Sequence, residues 1–440
     1  MKINITTLGC PKNVVDSGHL IDSFISEGFS VVKDPHDADI ILVNTCGFIR
    51  DAKEESINEI LRLACLKDGF RRLLVFGCLA ERYRDELLKG IPEIDGIWGV
   101  GEEEKIIGYC KGIREARAGE GRGEGSVNPP PILLTPPSYA YLKIAEGCDR
   151  RCTFCVIPSI RGRFKSYSPD EILREAEGLI KKGIREIIIV AQDITRYGKG
   201  LRGYSLASLL QDIVSISGEF YIRLLYLYPT GITDELIDCI NGNEKIIRYL
   251  DIPFQHSEDR IIRMMGRSGS RKEYIRLIKK LRRDIPGVVL RTTIMVGFPT
   301  ETEEEFKALV DFIEEGEFER LGVFRYSAEE RTPASRLKPQ VPGGVKDRRY
   351  DEIMRVQSLI SYKKNRALIG GEFKAIIDGF DDGSVIARLY SHAPEIDGVV
   401  IIKNRAKKGR VPSLPSIGVG DVVTVRIVDA DEYDLKGVLC

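Results

Sequence analysis

At 440 residues the chain is too long for one hydrophobic core and should hold two to four domains of roughly 100–200 residues. Its 43% apolar and 30% charged composition excludes a disordered chain, and no apolar run approaches the roughly 18–20 residues of a membrane span. The 66 basic residues balance 66 acidic ones, which disfavours nucleic-acid binding by bulk charge and leaves only a local basic patch open.

The chain enters directly on a strand pattern without an apolar signal segment, so a cytoplasmic protein is expected. In a reducing compartment ten cysteines point to metal binding or catalysis before disulfides, and only four histidines argue against a histidine-rich metal site. Over residues 1–114, stretches 2–8, 39–44 and 72–76 read as strands. Between and after them, 13–27, 52–66 and 80–88 read as helices, the first with Val14, Leu20, Ile21 and Phe24 inward. This alternation predicts a doubly wound, parallel α/β domain. Residues 115–137 carry Gly119, Gly121, Gly123, Gly125 and two proline runs, the composition of a linker.

A second α/β series follows over 138–368. Strands are expected at 139–145, 186–191, 221–227, 248–252, 288–296 and 321–326, with helices at 169–182, 271–283 and 303–315. Six β/α units fall short of the eight of a full barrel, so a partial (β/α)6 barrel is predicted. A Pro/Gly-rich hinge at 332–344 leads to a helix at 347–368 with Ile353, Val356, Leu359 and Ile360 on its apolar face. Residues 369–440 alternate in short strands, such as 373–378 and 422–428, and predict a small β-barrel.

The cysteines carry the strongest chemical signal. Cys148, Cys152 and Cys155 lie at spacings of four and three in a loop after the first barrel strand. A zinc site would need a fourth ligand, such as His256. Three thiolates on a four-iron cluster would instead leave one iron open. Cys10, Cys46 and Cys78 each follow a predicted strand, at intervals of 36 and 32 residues, about one β/α unit apiece. Successive parallel strands would deliver all three thiols to one sheet edge, where α/β folds bind ligands. Gly9, Gly47 and Gly77 beside them would permit close backbone approach. Cys65 and Cys239 read as packing on helix faces, Cys110 as a helix end and Cys440 as the last residue; none is given a function.

The stretch Cys148-Asp149-Arg150-Arg151-Cys152-Thr153-Phe154-Cys155 closely resembles the signature of the radical S-adenosylmethionine (SAM) superfamily. The resemblance implies a [4Fe–4S] cluster whose open iron binds the methionine moiety of SAM, with Phe154 near the adenine. It also implies SAM contacts from 189–193, including Gln192, and from Gly297-Phe298-Pro299-Thr300-Glu301, with Gly297, Pro299 and Glu301 as the expected residues. In full the chain resembles the radical SAM methylthiotransferases. Leu8-Gly9-Cys10-Pro11-Lys12-Asn13, Asn44-Thr45-Cys46 and Asp251-Ile252-Pro253-Phe254-Gln255-His256 carry this likeness, and residues 369–440 resemble that family's TRAM domain.

The family likeness implies two [4Fe–4S] clusters. The cluster on Cys148, Cys152 and Cys155 would cleave SAM to a radical, drawing on an electron donor. The one on Cys10, Cys46 and Cys78 would hold the sulfur that a second SAM methylates. The family acts either on tRNA adenosine or on an aspartate of protein twelve of the small ribosomal subunit. Residues 369–440 hold nine basic and eleven acidic side chains, a poor RNA-binding surface despite the basic cluster at 403–410. An acidic domain suits a basic ribosomal protein, with Glu395 and Asp397 as candidate contacts. Pro394-Glu395-Ile396-Asp397-Gly398 also looks like the ribosomal-protein branch. The expected activity is therefore methylthiolation of that aspartate at its β-carbon. A tRNA methylthiotransferase and a non-catalytic iron–sulfur carrier are the alternatives.

Overall fold

The computed structural model describes residues 1–118, 134–403 and 417–440, so most of the Gly/Pro-rich linker and of the basic cluster at 403–410 lies outside the described residues. The chain divides into two compact units, Met1–Leu134 with Val156–Arg163, and Thr135–Cys155 with Phe164–Cys440.

In the first unit β1 (Lys2–Thr7), α1 (Pro11–Ser26), β2 (Ser30–Val31), β3 (Ile40–Thr45), α2 (Arg50–Ala64), β4 (Arg72–Gly77), α3 (Cys78–Gly90), β5 (Gly96–Trp98) and α4 (Glu103–Ala118) follow in order. The five strands are all parallel, in the order β2-β1-β3-β4-β5. Central strand β3 is buried throughout, which explains its near-continuous apolar run. Its side chains alternate between two cores. Ile40 and Leu42 pack with Leu20, Phe24 and Ile106 on one face, and Ile41 and Val43 with Ile60, Leu63 and Leu79 on the other. The predicted double winding is therefore present.

Several local expectations change. Val15 is buried on α1 and Val14 only half-buried, because Asn13, Asp16 and Ser17 also turn inward. Helix α4 runs through Ala118, so residues 115–118 are helical. Cys110 lies within α4 in the apolar core, not at a helix end. Cys65 is exposed where α2 terminates, with Leu61 exposed one turn earlier, so it is not packed. Cys239 is buried as expected.

The second unit holds β6 (Tyr139–Lys143), β7 (Ala145–Glu146), β8 (Lys165–Ser166), α6 (Pro169–Lys181), β9 (Glu186–Val190), α7 (Leu206–Val214), β10 (Tyr221–Leu224), α8 (Asp234–Asn241), β11 (Ile246–Asp251), α9 (Asp259–Met264), α10 (Arg271–Asp284), β12 (Val289–Val296), α11 (Glu303–Gly316), β13 (Arg320–Arg325) and α12 (Gly343–Arg366). The short helix α5 (Ile157–Arg161), between β7 and β8 in sequence, belongs to the first unit. Six parallel strands lie in the sequential order β6-β9-β10-β11-β12-β13, the winding of a six-unit partial barrel. Residues from β14 (Glu372–Asp381) through β15 (Ser384–Leu389), β16 (Val400–Lys403), β17 (Val422–Ala430) and β18 (Leu435–Leu439) close a five-stranded barrel.

Helix α12 carries a more polar buried stripe than its sequence suggests. Ile353 and Val356 are buried, but Leu359 is 60% exposed and Ile360 half-buried. Gln357, Ser361 and Asn365 take the inner face because each has a fixed partner: Phe318 O, the Arg320 guanidinium, and the Asp431 and Glu432 carbonyls.

The small barrel covers the N-terminal ends of the large-barrel strands. Glu186 opens β9 and is bound at 2.6 Å by Arg223 of β10 and at 2.9 Å by Arg388 of β15. Glu395 accepts hydrogen bonds from the Tyr139 and Tyr141 hydroxyls, and Asp397 from Tyr249. Both carboxylates are thus committed to joining the barrels. This use within the chain is one that their reading as contacts for a basic partner did not anticipate.

Candidate functional site

The strand order of the first unit reverses between β1 and β3, the switch point at which such sheets leave a crevice for ligands. Cys10 caps α1 after β1, Cys46 directly follows β3, and Cys78 opens α3 after β4. The pairing Thr45↔Gly77 places Cys46 and Cys78 at the same level of the sheet edge. Gly9 has φ +97°, and a Cβ there would stand 3.0 Å from Cys46 Sγ; a Cβ on Gly47 would meet the Cys78 backbone at 2.8 Å. The three thiols are therefore gathered, and the small residues beside them are required by that closeness.

Asn13 ties this edge together. Its amide donates to Leu8 O at 2.7 Å and Thr45 O at 3.2 Å, and its side-chain oxygen accepts from the buried Arg161 at 2.7 Å. Arg161 also pairs with Asp16 at 3.0 Å. Ser56 Oγ accepts from Cys46 N–H at 3.0 Å, fixing the turn after β3. Burial pushes the Cys78 thiol up to about 12 and raises Cys46, with Arg161 pulling both the other way. Both are protonated thiols at neutral pH until a metal displaces the proton.

At the mouth of the partial barrel Cys148 is buried, and Cys152 and Cys155 are half-buried. Burial raises the Cys148 thiol, opposed by the Arg150 N–H at 3.4 Å. Phe154 packs with Ile261, Met265, Phe298 and Tyr326, so the third-cysteine aromatic and the 297–301 segment share one apolar wall. Gln192 donates to Glu146 at 2.8 Å, and Asp193 accepts from Arg150 at 2.9 Å, bringing the end of β9 against the cysteine loop. Gly297 has φ +72°, and a Cβ there would strike Lys346. Pro299 is buried.

Glu301 serves as a brace. One of its oxygens accepts the Gly297 and Phe298 N–H groups and lies 3.3 Å from Arg349. The other faces His256 Nε2 at 3.6 Å. His256 Nδ1 accepts the Glu258 N–H at 3.0 Å, which places the proton of the neutral ring on Nε2, towards Glu301. Sequence reasoning missed this pair and the Arg267–Tyr228 contact beside Cys152. The glycine-rich run Gly266-Arg267-Ser268-Gly269-Ser270 was the available signal.

Both cysteine sets offer soft thiolate donors, which suit iron–sulfur clusters. Among the described residues no three His, Cys, Asp or Glu side chains converge closely enough for one metal ion. Thiolates that bind separate irons of one cluster are more widely spaced. In donor chemistry and in the glycine-lined approach, the residues fit such clusters.

Residues 2–99 match the Uncharacterized protein family UPF0004, 142–313 the Radical SAM superfamily and 369–440 the TRAM domain. The solved structure of the radical S-adenosylmethionine methyltransferase TsrM from Kitasatospora setae is similar over 76% of this chain and 75% of that one, with TM-score 0.57 and 15% identity. The cobalamin-dependent S-adenosylmethionine radical enzyme OxsB is similar over 81% of this chain and 56% of its own, with TM-score 0.52 and 12% identity. At such identities these likenesses concern the fold. Sequence similarity reaches further. The ribosomal protein uS12 methylthiotransferase RimO of Thermodesulfovibrio yellowstonii is 55% identical over 435 residues, 99% of each chain. The RimO of Aquifex aeolicus is 43% identical over 441 residues, covering 99% of this chain and 97% of its own. With three matched domains in the expected order and full-length identity of this degree, the chain belongs to the RimO family of radical SAM methylthiotransferases.

Proposed function

We propose that this chain transfers a methylthio group to the β-carbon of an aspartate in ribosomal protein uS12, the small-subunit protein twelve. The observation that carries the reading is the pair of three-cysteine sets, each at the C-terminal ends of parallel strands, in a chain 55% identical to a RimO over its full length. Cys148, Cys152 and Cys155 would hold one [4Fe–4S] cluster and Cys10, Cys46 and Cys78 the other. When bound, the clusters and SAM supply radical generation and the methylated sulfur.

The chain's own residues position and shield that chemistry. Phe154 and Phe298 present an apolar wall that excludes water beside the cysteine loop. Glu301 holds the Gly297 and Phe298 N–H groups, fixing the backbone expected to approach the adenosine. Gln192 and Pro299 complete the expected SAM contacts, with Gln192 oriented by Glu146. The functional divisions are 1–114, 138–368 and 369–440, joined through 115–137. No helix among the described residues is long and apolar enough to cross a membrane. We place the protein in the cytoplasm, served by a low-potential electron donor, with RNA contact disfavoured by the charge of its last domain.

The test is incubation of anaerobically reconstituted protein, SAM, sulfide and reductant with uS12 and, separately, with tRNA. Mass spectrometry should find the methylthio increment on a uS12 aspartate. The increment on tRNA with none on uS12 would replace this reading with the tRNA one. SAM left intact under reduction would favour a carrier.

A further inference from the structure

Two guanidiniums share one aromatic ring beside the cysteine loop. Tyr228, buried in the loop after β10, has Arg150 Cζ 3.7 Å and Arg267 Cζ 4.5 Å from its ring centroid. Arg150 is part of the cysteine loop, with its N–H against Cys148 Sγ and its Nε on Asp193. Arg267 comes from a loop more than a hundred residues further on. Its Nη1 lies 3.9 Å from Cys152 Sγ, its Nη2 donates to Pro253 O at 2.5 Å, and its Nε is buried without a hydrogen-bond partner. Those contacts go to a thiol and a carbonyl, so no carboxylate hydrogen bond offsets its charge among the described residues.

The loop that carries Arg267 is fixed against the cysteines. Thr153 N–H donates to Met265 O at 2.9 Å and Thr153 Oγ1 to Met264 O at 2.8 Å. Gly266 has φ +67°, and a Cβ there would meet Arg151 O at 2.4 Å, so the two backbones touch. Ser268 N–H donates to Tyr228 Oη at 3.0 Å, and Tyr274 Oη to Ser268 O at 2.8 Å. The guanidinium is thus held at a fixed distance from Cys152 rather than swinging on a free side chain.

We propose that Arg267 and Arg150, spaced by the Tyr228 ring, set how readily the cluster on Cys148, Cys152 and Cys155 accepts its electron. This rests on the reading that those cysteines hold a [4Fe–4S] cluster. In the step concerned, one electron passes from a low-potential one-electron donor to the cluster. No bond forms or breaks and no proton moves; the donor is oxidised and the cluster gains one negative charge. A cation held beside the ligating sulfurs favours the more negative state, and exclusion of water strengthens the effect. The face of Tyr228 attracts both cations and so allows two of them to be kept close together. Arg267 and Tyr228 are positioning residues in this scheme, acting through Cys152 and Arg150.

The test is an anaerobic redox titration of the full chain carrying both clusters, followed by electron paramagnetic resonance. The signal that changes on adding SAM reports the barrel cluster. Arg267→Gln should retain its iron but be about tenfold harder to reduce, a midpoint about 59 mV lower for a one-electron couple. Arg267→Lys, which keeps the charge, should stay within about twofold of the wild type. An Arg267→Gln midpoint equal to wild type at full iron loading overturns the proposal. If Arg267→Gln does not load iron, Arg150→Gln decides: a lowered midpoint supports the proposal and an unchanged one overturns it. A wild-type chain whose barrel cysteines bind no cluster would overturn the functional reading itself, a different result from an unchanged potential.

Discussion

The carboxylate of Glu395, in the small barrel, accepts a 2.6 Å hydrogen bond from the hydroxyl of Tyr139, the first residue of β6 in the large barrel. Its other oxygen takes the Tyr141 hydroxyl at 3.1 Å. An acidic residue that reads in sequence as a contact for a basic substrate is therefore used to fasten one part of the chain to another.

Loss of this fastening should be felt in stability. Hydrogen bonds to a charged group contribute about 1.5–3 kcal/mol when buried, and the exposure of Glu395 places it at or below the lower end. Glu395→Ala should therefore destabilise the second unit by about 1–2 kcal/mol. The expected result is an earlier thermal transition with an unchanged salt dependence of KM for uS12. A salt-dependent rise in KM at unchanged stability would return Glu395 to a substrate-contacting role.

His392 gives the joint between the barrels a pH dependence. Its Nε2 lies 2.7 Å from Arg320, so it accepts there, and Nδ1–H faces Ser391 Oγ at 3.2 Å. Burial, together with Arg320, Arg223 and Arg388, holds its pKa well below the usual histidine value. Above about pH 6.5 both the folded and unfolded states are neutral at this ring, and it costs nothing. Below that pH the unfolded chain takes up a proton that the folded one refuses. Stability then falls, by up to about 1.4 kcal/mol per pH unit from this group. Denaturant titrations at pH 7.5 and 5.5 should show a smaller loss in His392→Gln than in the wild type. Equal losses would show that His392 does not titrate on unfolding.

The sequence carried the strand-end cysteines because β/α repetition makes position readable. Cys10, Cys46 and Cys78 each follow a strand, and parallel strands place their ends on one edge. The six-unit barrel was legible for the same reason. What failed was whatever depends on a surface brought from elsewhere. Leu359 looks apolar in the α12 pattern, yet Gln357 and Asn365 take the inner face because carbonyls from other elements await them. Strand β5 has only three residues, too few for a periodicity, and of α4 only a helical segment ending at Cys110 was legible. Arg267 is marked locally only by the glycine-rich run around it, and its closeness to Cys152 arises when α9 ends against the cysteine loop.

Gly47 should tolerate no side chain. Its missing Cβ would lie 2.8 Å from both the Cys78 carbonyl oxygen and Leu79 Cα, backbone atoms that cannot swing away. Gly47→Ala should displace the turn that carries Cys46 or the start of α3, at a cost of about 1–3 kcal/mol. Iron bound by the first unit should fall with it. Full iron content and wild-type stability in Gly47→Ala would show that this edge is looser than its contacts imply.

The two cysteine sets should separate by role. Reconstituted protein should hold about eight irons, roughly four for each set. Replacing Cys148, Cys152 and Cys155 together by alanine should halve the iron and abolish SAM cleavage. Replacing Cys10, Cys46 and Cys78 should also halve it, yet leave reductive SAM cleavage measurable while ending methylthio transfer. The asymmetry follows from where each set lies. The barrel cysteines share their loop with Phe154 and Arg150 and lie against the end of β9, where SAM contacts are expected, whereas the other three line a sheet edge of the first unit. Stoichiometric zinc without iron would overturn the two-cluster assignment. Wild-type methylthio transfer by the Cys10/Cys46/Cys78 variant would remove the sulfur-handling role from the first unit, even if its iron content had fallen by half.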